Sequence, residues 1–140
     1  VIGDGRLSLA KSSQAHDLLI IDAFSSDAIP QHLLTRQALA IYQARLSNHG
    51  LLAFHISNSY LNLEPVLASL AREAGLTALI RKDQGDPADQ SRVPSTWVVM
   101  TQTAPDLSGL RSSSQWQPLQ NADLRTWTDD YSNILDALRH

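Results

Sequence analysis

Apolar positions in this chain fall into two unbroken runs joined by a segment with a three-to-four-residue repeat. Asp17 to Phe24 (DLLIIDAF) and Gly50 to Ile56 (GLLAFHI) lack the alternation of a half-exposed strand, so each reads as a strand covered on both faces. Between them Thr35 is placed to cap a helix, and Ala38, Leu39, Tyr42 and Leu46 recur at helical spacing until Asn48-His49-Gly50 stops it. Strand, helix and strand in that order predict one crossover unit and parallel pairing.

The pattern continues with a helix from near Asn62, with Pro65 in its first turn and Val66, Leu67, Leu70, Ala71 and Ala74 on one face, ending at Gly75. A third strand is predicted over Thr77 to Arg81 and a last one over Ser95 to Thr103. The polar stretch Lys82 to Pro94 between them shows no helical repeat, which predicts an antiparallel hairpin at the sheet edge. At the amino-terminal end, Val-Ile-Gly-Asp-Gly reads as a strand end running into a turn, as if a domain were entered halfway. After Ala104 the pattern weakens, then resumes as a tail helix from near Thr128 with Tyr131, Ile134, Leu135 and Leu138 as its buried stripe. The expectation is a single α/β domain over 1–140: a core over 1–104, then an irregular segment and tail helix over 105–140. Its sheet is mostly parallel, closed by an antiparallel carboxyl-terminal hairpin, with helices on both faces.

Composition narrows the function. A chain of 140 residues, 43% hydrophobic, can bury one core. Eleven basic against 14 acidic residues leave a formal net charge of -3, which lacks the basic footprint that nucleic-acid binding requires. No apolar run approaches the ~20 residues of a membrane helix, so no membrane contact is expected from this chain. The absence of cysteine excludes disulfides and thiolate metal sites, and fits a cytoplasmic location.

In parallel sheets ligands sit beyond the carboxyl ends of the strands, which selects Gly3-Asp4-Gly5, Asp22 to Pro30, and His55 to Tyr60. Asp22 ends a run of apolar residues, where desolvation would raise its basicity toward that of a general base. Asp27 follows on the loop, and two carboxylates around one turn can hold a diamine by its two nitrogens. The structural alternative is that Asp22 bonds loop amides and Asp27 caps the next helix. Asp4, between glycines, suits either a plain tight turn or one that brings a carboxylate and backbone amides against a flat heterocycle. His55 lies at a strand end as a packing or a site residue. The five histidines share no ligand spacing, so no metal is expected. Asp129 and Asp130 read as acids in the first turn of the tail helix, where they complement its dipole. No Gly-x-Ser-x-Gly elbow or phosphate loop is present.

Taken together, GDGRLSLAKSSQAHDLLIIDAFSSDAIPQHLLTRQALAIYQARLSNHGLLAFHISN resembles the core of the spermidine synthase-like family, over residues 1 to about 80. With Thr128-Asp129-Asp130-Tyr131, the form DAFSSDAIPQHLLT looks closest to bacterial spermidine synthase-like proteins, some of them fused to membrane segments. The resemblance implies a partial Rossmann-like, methyltransferase-type sheet and a transferase of polyamine biosynthesis. It moves an aminopropyl group from decarboxylated S-adenosylmethionine to an amine such as putrescine. It also implies that the chain is the carboxyl-terminal half of such a domain, inactive without its other half, with the family's Gly-rich loop and ribose-binding acid lying upstream. Carried over by position, Asp4 and Gly5 contact the adenine, Asp22 accepts the amine's proton, and Asp27 with His55 binds the amine. Three differences stand out. The loop between the two acids is two residues longer, His55 replaces the usual Gln, and Arg92-Val93-Pro94 replaces a Pro-Thr-Tyr pattern. Two rival readings share the pattern: an S-adenosylmethionine-dependent methyltransferase-like domain, and a noncatalytic module that binds a nucleoside or a protein. An exposed edge along DLLIIDAF is expected to make the chain a homo-oligomer.

Overall fold

The computed structural model describes residues 4–22, 31–57, 61–120 and 123–138. Along them run α1 (Gly5–Lys11), β1 (His16–Asp22), α2 (Arg36–Ala44), β2 (Leu46–His55), α3 (Glu64–Ala74), β3 (Thr77–Asp83), β4 (Ser95–Thr101), α4 (Ser108–Arg111) and β5 (Gln117–Pro118). Short 3₁₀ turns lie at Gln31–Leu33, Ala104–Leu107 and Ile134–Ala137.

Local chemistry accounts for the helix ends. The Thr35 hydroxyl accepts the Ala38 N–H at 3.1 Å, so α2 starts with one of its free donors satisfied. Helix α3 admits Pro65 in its first turn, where no N–H is needed, and ends at Gly75, whose φ of +68° is the left-handed conformation a glycine adopts without strain. The stop of α2 comes earlier than its repeat predicts. The helix ends at Ala44 and Leu46 already belongs to β2, so Asn48-His49-Gly50 lies within a strand. Gly50 is there for close approach: a Cβ on it would meet the His16 carbonyl oxygen at 3.0 Å.

The described residues form a five-stranded sheet of order β1-β2-β4-β3-β5, and this overturns the expectation of a mostly parallel sheet. Only β1 and β2 pair in parallel, while β2 with β4, β4 with β3, and β3 with β5 are all antiparallel. The expected crossover from β1 through α2 to β2 is present, and so is the antiparallel pairing of β3 with β4. What the sequence could not show is the side on which the hairpin folds back. Strand β4 enters between β2 and β3 and separates two strands that run in the same direction. Its residues Val98, Val99 and Met100 are buried there.

Helices α2 and α3 cover one sheet face. Leu39 and Tyr42 of α2 and Val66, Leu67 and Leu70 of α3 pack on Leu19, Ile21, Leu52, Phe54, Val98 and Met100, and Leu9 of α1 joins them from the rim. The opposite face has a smaller cluster in which Leu107, Leu110 and Trp116 cover Ala53, Leu79, Val99 and Trp97. That cover does not reach β1, where Leu18 and Ile20 remain 52% and 58% exposed. Over its described residues, 17–22, the run DLLIIDAF is therefore covered on one face and not two. No described strand pairs with the outer edge of β1. Bare edges flanked by apolar side chains recruit further strands. The isolated chain is therefore expected to self-associate, and Leu18→Lys with Ile20→Lys to abolish the association. Sedimentation at increasing concentration measures both, and a wild type monomeric throughout would contradict the expectation.

The tail also departs from expectation. No α-helix starts near Thr128. Thr128 and Tyr131 close a tight turn through mutual backbone hydrogen bonds of 2.8 and 3.1 Å, followed by the 3₁₀ turn. Leu135 and Leu138 are exposed, whereas Trp127 and Ala137 are buried in the main core. Asp129 and Asp130 are thus not first-turn helix acids. No helix among the described residues is long and apolar enough to cross a membrane.

Candidate active site

Asp22 and His55, both singled out from the sequence, lie at the carboxyl ends of the parallel pair. Strands β1 and β2 pair so that Asp22 lies beside His55, one at the end of each strand. Alternation along β1 puts Asp22 on the same face as the exposed Leu18 and Ile20. The His55 Nδ1 is 3.2 Å from Asp22 Oδ1, and Ser57 Oγ is 2.7 Å from His55 Nε2. The His55 ring stacks on Trp97 of β4, with centroids 4.7 Å apart and planes at 24°.

Asp22 is also among the residues that line a cavity of about 580 Å³, within the range of small-molecule sites. Asp4, Gly5 and Leu9 of the α1 segment line one side, and Ile20, Ile21 and Asp22 of β1 line another. His32, Leu33 and Tyr42 complete it along with Arg6. The wall is thus largely apolar, with two carboxylates, the Arg6 guanidinium and the His32 imidazole among its polar groups.

Asp4 does not sit in a free Gly-Asp-Gly turn. It is the N-cap of α1, its Oδ1 accepting the Arg6 N–H at 2.9 Å, while its Oδ2 lies 3.1 Å from His32 Nε2. Gly5 is the first residue of that helix. Tyr42 donates its hydroxyl to the Leu33 carbonyl at 3.0 Å, and burial pushes its phenol well above the usual range, so it acts at neutral pH as a neutral donor.

Arg6 ties the cavity to the tail. Its Nη1 and Nη2 donate to the two Asp129 oxygens at 2.8 and 2.6 Å, and Nη1 also reaches the His32 carbonyl at 2.8 Å. Thr35 donates its hydroxyl to Asp129 Oδ1 at 2.7 Å, and Gln37 Oε1 accepts the Asp129 N–H at 3.0 Å. The Arg6 hydrogen bond, with that of Thr35, holds the Asp129 carboxyl below the usual carboxylate range and in turn raises the guanidinium. A carboxylate lowered in the native state adds stability above its unfolded value, about 3.9, and this is lost as pH falls through the native value. Asp129→Asn is therefore expected to unfold at lower urea than wild type at pH 7, the gap closing below about pH 4. A gap independent of pH would contradict this.

Of the residues singled out from sequence, Asp4, Gly5 and Asp22 meet on one cavity. His55 is not among its lining residues and meets the site through Asp22. Asp27 lies outside the described residues. The desolvation expected at Asp22 is not present, since its side chain is 60% exposed. Arg6, Tyr42 and His32 carry no site signal in the sequence, whereas Ser57 falls within the strand-end segment His55 to Tyr60 that the carboxyl-end rule selects. Among the described residues no group of His, Cys, Asp and Glu has metal-binding geometry. No family model matches the chain, and no curated protein matches it.

Proposed function

We propose that this chain carries the amine-activating part of a spermidine synthase-like site, transferring an aminopropyl group from decarboxylated S-adenosylmethionine to an amine such as putrescine. The observation that carries the reading is the convergence of the neighbouring Asp4 and Gly5 at the start of α1 with Asp22 at the end of β1 on one cavity of about 580 Å³. The residues present fit the co-substrate. Leu9, Ile21 and Leu33 offer apolar contact to an adenine, and Asp4 and Asp22 supply negative charge for a sulfonium and an ammonium.

The acceptor arrives as an ammonium ion that carboxylates attract, yet only the free amine is a nucleophile. Asp22 takes its proton as nitrogen attacks the methylene next to sulfur. The N–C bond forms, the C–S bond breaks, and the thioether leaves with the bonding pair. The exposed rim at Asp22 then returns the proton to water.

The test is calorimetry of the full-length protein with decarboxylated and ordinary S-adenosylmethionine, combined with a turnover assay on putrescine. Tighter binding of the decarboxylated form together with aminopropyl transfer is expected. Preference for the ordinary form with methyl transfer would select the methyltransferase reading. Binding without turnover would select a noncatalytic nucleoside module.

A further inference from the structure

Asp22 stands on an edge strand with more than half its side chain exposed, and an exposed aspartate has several rotamers open to it. A proton acceptor has to be held within about 0.5 Å of its working position. The contact with His55 is one that can do so.

We propose that His55 and Ser57 are positioning residues that orient the Asp22 carboxylate for the amine; the proposal rests on the transferase reading for the role of Asp22. The chain of contacts has a donor at one end and an acceptor at the other. The Thr96 N–H donates to Ser57 Oγ at 2.8 Å, and the Asp22 carboxylate at the far end can only accept. A neutral His55 between them must therefore carry its proton on Nδ1, donate it to Asp22, and accept at Nε2 the Ser57 hydroxyl 2.7 Å away. Stacking on Trp97 fixes the ring plane, and the strand register sets His55 directly beside Asp22. The contacts thus run from Thr96 of β4 through Ser57, just beyond β2, and His55 at its end to Asp22 of β1. Oriented dipoles of this kind polarise one another along the chain.

Nitrogen-15 NMR of the full-length protein with labelled histidines reads the tautomer without any turnover. The Nδ1–H form is expected for His55 in wild type, and Ser57→Ala is expected to shift it toward Nε2–H. In the transfer assay His55→Leu is expected to lower kcat by about 10–100-fold with little change in the KM for the amine. His55→Gln, whose amide can still donate to Asp22, is expected to recover most of that loss. An Nε2–H wild type overturns the proposal, as does a kcat untouched by His55→Leu. If wild type moves no aminopropyl group at all, the transferase reading fails, and the tautomer and its response to Ser57→Ala decide the array by themselves.

Discussion

Asp22→Asn is expected to lower aminopropyl transfer by about 10²–10⁴-fold, the usual contribution of a positioned general base. The amide keeps the size of the side chain and an oxygen that can still accept from His55 Nδ1, so the strand end and its 3.2 Å contact have no reason to rearrange. What is lost is the negative charge and the capacity to take a proton. The effect should therefore fall on kcat more than on binding of the adenosyl co-substrate, whose apolar contacts come from Leu9, Ile21 and Leu33. Stopped assays of putrescine modification, with calorimetry on the same variant, separate the two. A variant that binds normally and turns over at the wild-type rate would remove Asp22 from the mechanism.

Trp127→Ala is expected to have the largest effect on stability, costing about 3–5 kcal/mol by the loss of buried area and the cavity left behind. Trp127 is 1% exposed and belongs to the core cluster of α2, α3 and the sheet, although it follows a stretch with little regular structure. Its carbonyl accepts the Arg36 N–H at 2.8 Å, so the residue both fills the core and satisfies a first-turn donor of α2. Domains of this size are stable by roughly 5–15 kcal/mol, so one substitution in the tail removes a large share. Urea unfolding followed by far-ultraviolet circular dichroism measures it. A loss below about 1 kcal/mol would mean that the tail is docked on the domain without supporting it.

The two predictions rest on residues of unequal legibility. Asp22 could be found from sequence because a carboxylate at the end of an apolar run is chemically conspicuous, and the carboxyl-end rule then says where it must point. Trp127 could not, because its segment has no period and its burial depends on a long return of the chain. Asp129 illustrates the same limit. Its sequence neighbours suggest a helix dipole, and the actual partner is Arg6, more than a hundred residues away. Ser57 lay in view beside His55, but neither spacing nor residue type says that Thr96 would supply the amide that orients it.

Periodicity and turn chemistry act within a few residues, and at that range the sequence succeeded in part, missing α1, the early end of α2 and the 3₁₀ turn in place of a tail helix. It located the strands at β1, β2, β3 and β4, the Thr35 cap, the Gly75 stop and the lack of a helix between β3 and β4. Strand order is decided at longer range. Inserting β4 between β2 and β3 changes no local pattern, since an apolar residue is buried equally well by a parallel or an antiparallel neighbour. The same holds for coverage. The sequence made β1 apolar on both faces, but only the placement of the Ala104–Leu107 turn and α4 decided that Leu18 and Ile20 would be left uncovered. The cavity shared by Asp4 and Asp22, and the chain from Thr96 to Asp22, likewise exist only once distant backbone segments are packed together.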